Sequence, residues 1–319
     1  MKLYLAPMEG ITGYIFRNAH KKYFGSITKY FTPFISPGNN TALSNKERKD
    51  VLPENNRGLF VVPQILTNNA EDFISTSAEL CRMGYREVNI NLGCPSGTVA
   101  AKNKGSGFLA QRDRLDSFLD SIYSRSNMKV SVKTRIGKDN PEEFYELIKI
   151  YNKYPISELI IHPRIQKDQY KNKPHLDIFK ASLSLSTNPV CYNGDIFTVA
   201  DGKAFRESFP AVGTVMLGRG AAANPALADE ICGTKKLSGE LLKSFHEELY
   251  DGYRRTIQGD INVLYKMKEF WFYAIQMFSD NAKYVKAIRK AQKLKNYEEA
   301  VESLFKEREI VDGNGYRPY

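Results

Sequence analysis

Short apolar runs rich in β-branched residues recur along the first 234 positions, separated by longer amphipathic stretches. The runs predict strands at residues 3–6, 27–34, 59–65, 87–91, 129–133, 158–162, 188–192 and 214–217, with helices in most of the gaps. Asn68, with Glu71 three positions on, reads as a capping box opening a helix toward Cys81. Asn140-Pro141-Glu142-Glu143 reads as another start, with proline at the first helical position. Eight strands alternating with helices predict an α/β fold, a (β/α)8 TIM barrel, against the competitor of an open doubly wound sheet. The polar residues favour the barrel. Met8, Gln64, Asn91, Lys133, His162, Asn193 and Arg219 all sit at or just past the C-terminal end of a strand, and in a barrel those ends converge on one mouth.

The strand pattern stops after Asn224-Pro225. Ile261, Leu264, Met267, Trp271, Ile275 and Phe278 then recur at helical steps, as do Val285, Ile288, Leu294, Tyr297, Val301, Leu304 and Phe305. These stripes read as core faces. A small C-terminal all-helical domain over 235–319 is expected, joined to a catalytic barrel over 1–234 through the Gly233–Gly239 segment.

With 42% hydrophobic and 26% charged residues, the chain can build a sizeable core. No apolar run approaches the roughly 18 residues of a membrane span. The N-terminus reads as a first strand rather than a signal peptide. Cys81, Cys94, Cys191 and Cys232 form no CxxC pair, which argues against a disulfide framework and for a reducing cytoplasm. Four scattered histidines give no metal pattern. The net charge of +10 fits either a polyanionic partner or ordinary surface charge. Because residues 235–319 carry only +3 of it, a nucleic acid would have to lie across both parts. Nothing speaks to assembly, and a monomer is the simplest expectation.

Two stretches match the letters of a dinucleotide fingerprint. Gly105-Ser106-Gly107 has no strand before it and is set aside. Gly218-Arg219-Gly220 follows the last strand. It reads either as a barrel phosphate site, with Arg219 adding charge, or as a strand-to-helix turn that needs glycine. A phosphate site in a barrel mouth with no metal suggests FMN. Gln64 and Asn91 then offer donors and acceptors to a flavin edge, and Lys133 offers charge for an anionic reduced ring. A lysine at a strand end inside a barrel is hard to dismiss as core, since burying an unpaired ammonium is costly. Cys94, in a Gly-Cys-Pro turn beside Asn91, is either a small buried hydrophobe or a thiol at the mouth that acts as nucleophile or general acid.

Ala6-Pro7-Met8-Glu9-Gly10-Ile11-Thr12, Asn91-Leu92-Gly93-Cys94-Pro95, Lys133-Thr134-Arg135-Ile136-Gly137, Asn193-Gly194-Asp195-Ile196 and Gly218-Arg219-Gly220 follow one another at suitable spacing. Together they resemble the tRNA-dihydrouridine synthases over the whole chain, and the opening leans toward the bacterial C-type subgroup. The resemblance implies FMN reduced by NADPH, a flipped-out uridine of tRNA as substrate, hydride delivery to C6, and Cys94 as the acid that protonates C5. It implies FMN contacts at Pro7, Met8, Glu9, Gln64, Lys133, His162, Asn193, Gly194, Asp195, Gly218 and Arg219, and uracil contacts at Asn91 with Arg135 or Arg164. Lys283, Lys286, Arg289, Lys290 and Lys293, spaced along one helix face, read as an RNA-backbone stripe or as a solvated surface, and the resemblance favours RNA. Two departures bear on substrate. His162-Pro163-Arg164-Ile165 replaces the family's His-Gly-Arg-Thr, and Thr32-Pro33-Phe34 lacks its usual carboxylate. Three other readings stay open: the same reaction on ribosomal RNA, a small-molecule FMN barrel of dihydroorotate dehydrogenase type, and an RNA-binding protein that has lost catalysis.

Overall fold

The structure is a computed structural model that describes residues 1–38 and 43–318, so Tyr319 of the expected helical domain lies outside the described residues. The strands are β1 (Lys2–Leu5), β2 (Ile27–Phe31), β3 in two pieces (Val61–Val62 and Gln64–Ile65), β4 (Glu87–Leu92), β5 (Lys129–Gly137), β6 (Leu159–Ile165), β7 (Val190–Asn193) and β8 (Thr214–Leu217). All eight expected strands are present. The sheet order runs from the first piece of β3 through β2, β1, β8, β7, β6, β5 and β4 to the second piece of β3. Both ends of the sheet are therefore halves of one strand, and the sheet closes as a (β/α)8 barrel. Closure leaves no open edge.

The join is at Pro63. Val61–Val62 pairs in parallel with Tyr30–Phe31, and Gln64–Ile65 pairs in parallel with Asn89–Ile90. Proline cannot donate to a ladder, so the strand breaks there. Thr32 bridges the gap. Its N–H donates to Val62 O (3.1 Å) and its Oγ1 accepts from the Gln64 N–H (3.1 Å). Thr32 is fully buried, and an amide left unpaired at such a site costs about 1–3 kcal/mol. The opposite end of the barrel is closed by charge: Lys29 Nζ lies 3.1 Å from Glu87 and 3.7 Å from Glu158, and Tyr4 donates to Glu158 (3.1 Å).

Local starts differ in detail from expectation. The helix Ala70–Arg82 is capped by Asn69, whose Oδ1 accepts from the N–H groups of Glu71 and Asp72. Asn68 is drawn away to the carbonyls of Lys102 and Asn103. The helix Glu143–Tyr151 begins two residues past Pro141, because the Glu143 carboxylate reaches back to the N–H groups of Asp139 and Asn140.

The described residues form two compact units. One comprises Met1–Pro7, Lys29–Gly194 and Phe209–Met216, and the other comprises Met8–Thr28, Asp195–Ser208 and the chain from Leu217 on. In the second unit the helix Tyr14–Tyr23 packs on the helix Gly239–Thr256, with Phe16 edge-on to Phe245 at 5.4 Å. The C-terminal helices Asp260–Ala274, Ala282–Lys290 and Leu294–Glu307 follow as expected. Two positions assigned to their apolar stripes are instead exposed, Ile261 (44%) and Val285 (36%), while Val263 and Phe270 are buried. No helix among the described residues is long and apolar enough to cross a membrane.

Trp271, Tyr297 and His246 form the polar centre of this helical core. Trp271 Nε1 donates to Tyr297 Oη (2.9 Å), and Tyr297 Oη lies 2.6 Å from His246 Nε2. Burial holds the His246 imidazole neutral, with its pKa pushed down to about 3, and lowers buried His20 to about 4. The unfolded chain takes up these protons near pH 6.5, whereas the folded chain does so only near 3 and 4. Stability contributed by the neutral rings is thus lost as pH falls from about 6.5. Urea midpoints measured at pH 7, 5 and 4 should fall less steeply for His246→Gln than for the parent chain, and equal slopes would rule this out.

Candidate active site

In the first unit, the inward positions at the C-terminal ends of the strands are polar. Strand register aligns them: Gln64 lies beside Asn89, Asn91 beside Lys133, and Arg135 beside His162. Asn91 shapes the turn that follows β4. Its Oδ1 accepts from the N–H groups of Gly93 (3.0 Å) and Cys94 (2.9 Å), and its Nδ2 donates to Gln64 Oε1 (2.7 Å). The Cys94 carbonyl accepts from the N–H (3.1 Å) and hydroxyl (2.8 Å) of Ser106. The glycine-rich segment set aside as a fingerprint therefore has another use. As a 3₁₀ turn, Gly105–Ala110, it backs the Cys94 loop. Gly105 has φ of 56°, and a Cβ there would fall 2.8 Å from the Cys94 carbonyl oxygen. Cys94 is partly exposed, whereas Cys191 is buried within the barrel.

Lys133 is only partly exposed, and its ammonium makes no hydrogen bond or ion pair among the described residues. Burial, reinforced by the Arg135 charge, lowers its pKa to about 8, while Cys191 and Cys94 oppose that shift. A charge held there without a partner calls for an anion.

Both arginines expected at the uracil are fully buried. Arg135 donates to the carbonyls of Gly93 (3.0 Å), Ile165 (2.8 Å) and Gln169 (2.7 Å). Arg164 donates to the Asn172 carbonyl (2.6 Å) and lies 3.0 Å from His162 Nε2. Much of their hydrogen-bonding capacity is spent bracing the segment after β6, in which Gln169 has φ of 48°. Pro163, the departure noted above, loses no strand contact on its carbonyl side, where it accepts from His175 N–H (2.6 Å). The same segment presents Tyr170, 49% exposed, over the Arg135 guanidinium at 5.4 Å. No sequence signal separates Tyr170 from its polar neighbours. Asn89 and Ser131 were also missed, although the two-residue strand period puts them on the same face as Asn91 and Lys133.

Asn193 donates to the Met216 carbonyl (2.8 Å), and a Cβ on Gly194 would overlap the Tyr192 ring. In the second unit, Met8 N–H donates to Thr12 Oγ1 (2.8 Å), and Glu9 is exposed. Arg219 pairs with Asp195 at 2.6 Å, and its guanidinium lies 5.1 Å from the Phe197 ring and 5.2 Å from the Tyr316 ring. Gly220 is required by packing, since a Cβ would fall 2.2 Å from the Ile196 carbonyl oxygen. Packing accounts for that glycine, and the Arg219 charge is already balanced. Lys286 and Arg289 are exposed and unpaired among the described residues, whereas Lys283 pairs with Glu307 at 2.7 Å. Lys293 lies beyond the end of the helix Ala282–Lys290 rather than on its face.

The dihydrouridine synthase family model matches residues 4–314. The chain belongs to the dihydrouridine synthase family. It is 27% identical over 318 residues to a probable tRNA-dihydrouridine synthase of Staphylococcus aureus (strain COL), covering 97% of this chain and 91% of that protein. It is 27% identical over 243 residues to a tRNA-dihydrouridine(16) synthase of Pseudomonas syringae pv. tomato, covering 74% and 76%. Membership makes the chain an oxidoreductase. Among solved structures, an old yellow enzyme complex (TcOYE with pHBA) matches with a TM-score of 0.55 at 10% identity, over 79% of this chain and 94% of that one. Morphinone reductase with tetrahydroNAD matches at 0.51 and 12%, over 76% and 90%. At such identities the likeness is one of fold, and it agrees with the barrel closed at Pro63.

The Lys133 amine should react with acetic anhydride in a pH-dependent way, with a midpoint near 8 rather than the ordinary 10.5. Competitive labelling read by mass spectrometry measures it, and a midpoint near 10.5 would remove the case for a desolvated ammonium.

Proposed function

We propose that this protein reduces a uridine of tRNA to 5,6-dihydrouridine on a bound FMN that NADPH recharges. The observation that carries the reading is the unpaired, desolvated ammonium of Lys133 on the strand next to the Asn91–Cys94 turn. That ammonium fits the anionic edge of a reduced flavin. Gln64, His162 and Asn193 would line the ring from the neighbouring strand ends. Pro7, Met8, Glu9, Gly194, Asp195, Gly218 and Arg219 are assigned to FMN by family resemblance. Arg219 pairs with Asp195, so its guanidinium charge at that turn is already balanced.

When bound, the flavin supplies hydride to uracil C6. Cys94 gives its thiol proton to C5, so the double bond is saturated by two electrons and two hydrogens, and the thiol regains its proton from solvent. Asn91 holds the Cys94 loop and contacts the uracil. Arg135 and Arg164 act by bracing the mouth rather than by reaching the base. The functional division is a catalytic barrel over 1–234 and an RNA-binding helical domain over 235–319, with Lys286 and Arg289 meeting the phosphate backbone.

Purified Cys94→Ala should stay yellow but form dihydrouridine at least about a hundredfold more slowly, as expected for loss of a general acid. A normal rate refutes the acid role, and a parent protein that takes up no FMN refutes the whole reading. Lys286→Glu combined with Arg289→Glu should weaken tRNA binding and flatten its salt dependence by about two charges. Unchanged affinity would leave that face as solvated surface. Mapping which RNA loses dihydrouridine when the gene is deleted separates tRNA from ribosomal RNA.

A further inference from the structure

We infer that Asn89 and Ser131 are positioning residues that set the polarity of the Gln64 and Asn91 amides and, through them, the conformation of the Cys94 loop. The inference rests on the reading of Cys94 as the reacting thiol. Four side chains, Asn91, Gln64, Asn89 and Ser131, form one continuous chain across β3, β4 and β5. The N–H groups of Gly93 and Cys94 donate to Asn91 Oδ1, and Asn91 Nδ2 donates to Gln64 Oε1 (2.7 Å). Gln64 Nε2 donates to Asn89 Oδ1 (2.8 Å), Asn89 Nδ2 donates to Ser131 Oγ (2.9 Å), and Ser131 Oγ donates to the Val88 carbonyl (3.3 Å).

An amide side chain alone can be turned over with little cost, because its oxygen and nitrogen ends are nearly isosteric. Here neither end of the chain is free to reverse. It starts on backbone N–H groups, which only donate, and finishes on a backbone carbonyl, which only accepts. Every amide between them is thereby oriented. Gln64, Asn89 and Ser131 are fully buried, so water cannot replace a missing link.

The orientation has a chemical consequence. Asn91 Oδ1 is saturated by two N–H donors, so the group Asn91 has left for a ligand is the second hydrogen on Nδ2. Asn91 therefore selects an acceptor, such as a uracil carbonyl, and rejects a ring N–H at that point. Ser131 holds the chain at its far end, three links away from Asn91.

The test uses thiol chemistry in the flavin-free full-length protein, so that it is independent of FMN and RNA. Alkylation of Cys94 by iodoacetamide is followed by mass spectrometry, with Cys81 and Cys232 as internal references. Ser131→Ala leaves Asn89 Nδ2 buried without its acceptor and loosens the chain that holds Gln64 and Asn91. The Cys94 rate should change by about threefold or more, the scale of one lost hydrogen bond, while the reference thiols hold. Ser131→Thr keeps the hydroxyl and should restore the parent rate. If Ser131→Ala does not fold, Asn89→Ala cuts the same chain one link nearer and should shift Cys94 in the same way. A Cys94 rate equal to the parent's in a folded variant of either kind overturns the inference, and so does failure of Ser131→Thr to restore it. Neither result touches the proposed reaction, which stands or falls on Cys94→Ala and flavin uptake.

Discussion

The structure depends on closure of a parallel sheet through one interrupted strand. Pro63 interrupts the third strand, so Val61–Val62 pairs with β2 and Gln64–Ile65 pairs with β4, while Ile65 also bridges to Ile35 beyond β2. The buried Thr32 hydroxyl takes the amide that the break would orphan. With the sheet closed, every second residue of each strand points into a shared interior, and the polar ones near the C-terminal ends meet there. Gln64 reaches Asn89 and Asn91 because it is the first residue after the break.

Charge is distributed along that interior in a way that separates support from chemistry. At the strand starts, Lys29, Glu87, Glu158 and Tyr4 neutralise one another in a compact network. At the opposite ends, Lys133 has no such partner among the described residues, and burial with the neighbouring Arg135 charge depresses its pKa. Arg135 and Arg164 are more deeply buried and donate to backbone carbonyls. Among the described residues, the two arginines at this mouth are thus spent on carbonyls and the ammonium is not. The arithmetic of burial explains the division: an arginine can distribute five N–H donors over a loop, whereas an ammonium on a strand cannot.

In the C-terminal helices, the same sequence periodicity that marked the core also misplaced two residues. Ile261 sits in the first turn of its helix and Val285 on the outer face of the next. Near helix ends and in short helices, apolar spacing is satisfied by more than one face, and the packing partner decides between them. The Asn68 cap failed for a similar reason: a carbonyl pair from residues 102 and 103 competed for its amide.

Sequence alone determined the eight strands, the barrel, the helical C-terminal part, the family and the identity of Cys94 and Lys133 as residues worth attention. It could do so because strand and helix periods are local properties, and because a polar residue at a strand end is visible without knowing its neighbours. Only the tertiary structure decided which partner each polar group bonds. The carbonyl partners of Arg135 and Arg164, some 8 to 42 residues away in sequence, became visible only in the folded chain. Arg219 read as a free charge until Asp195 was found against it. Asn89 and Ser131 read as ordinary strand residues until register laid them side by side. Hydrogen-bond partners are set by which strands lie next to one another, and that is a property of the closed sheet, not of any segment within it.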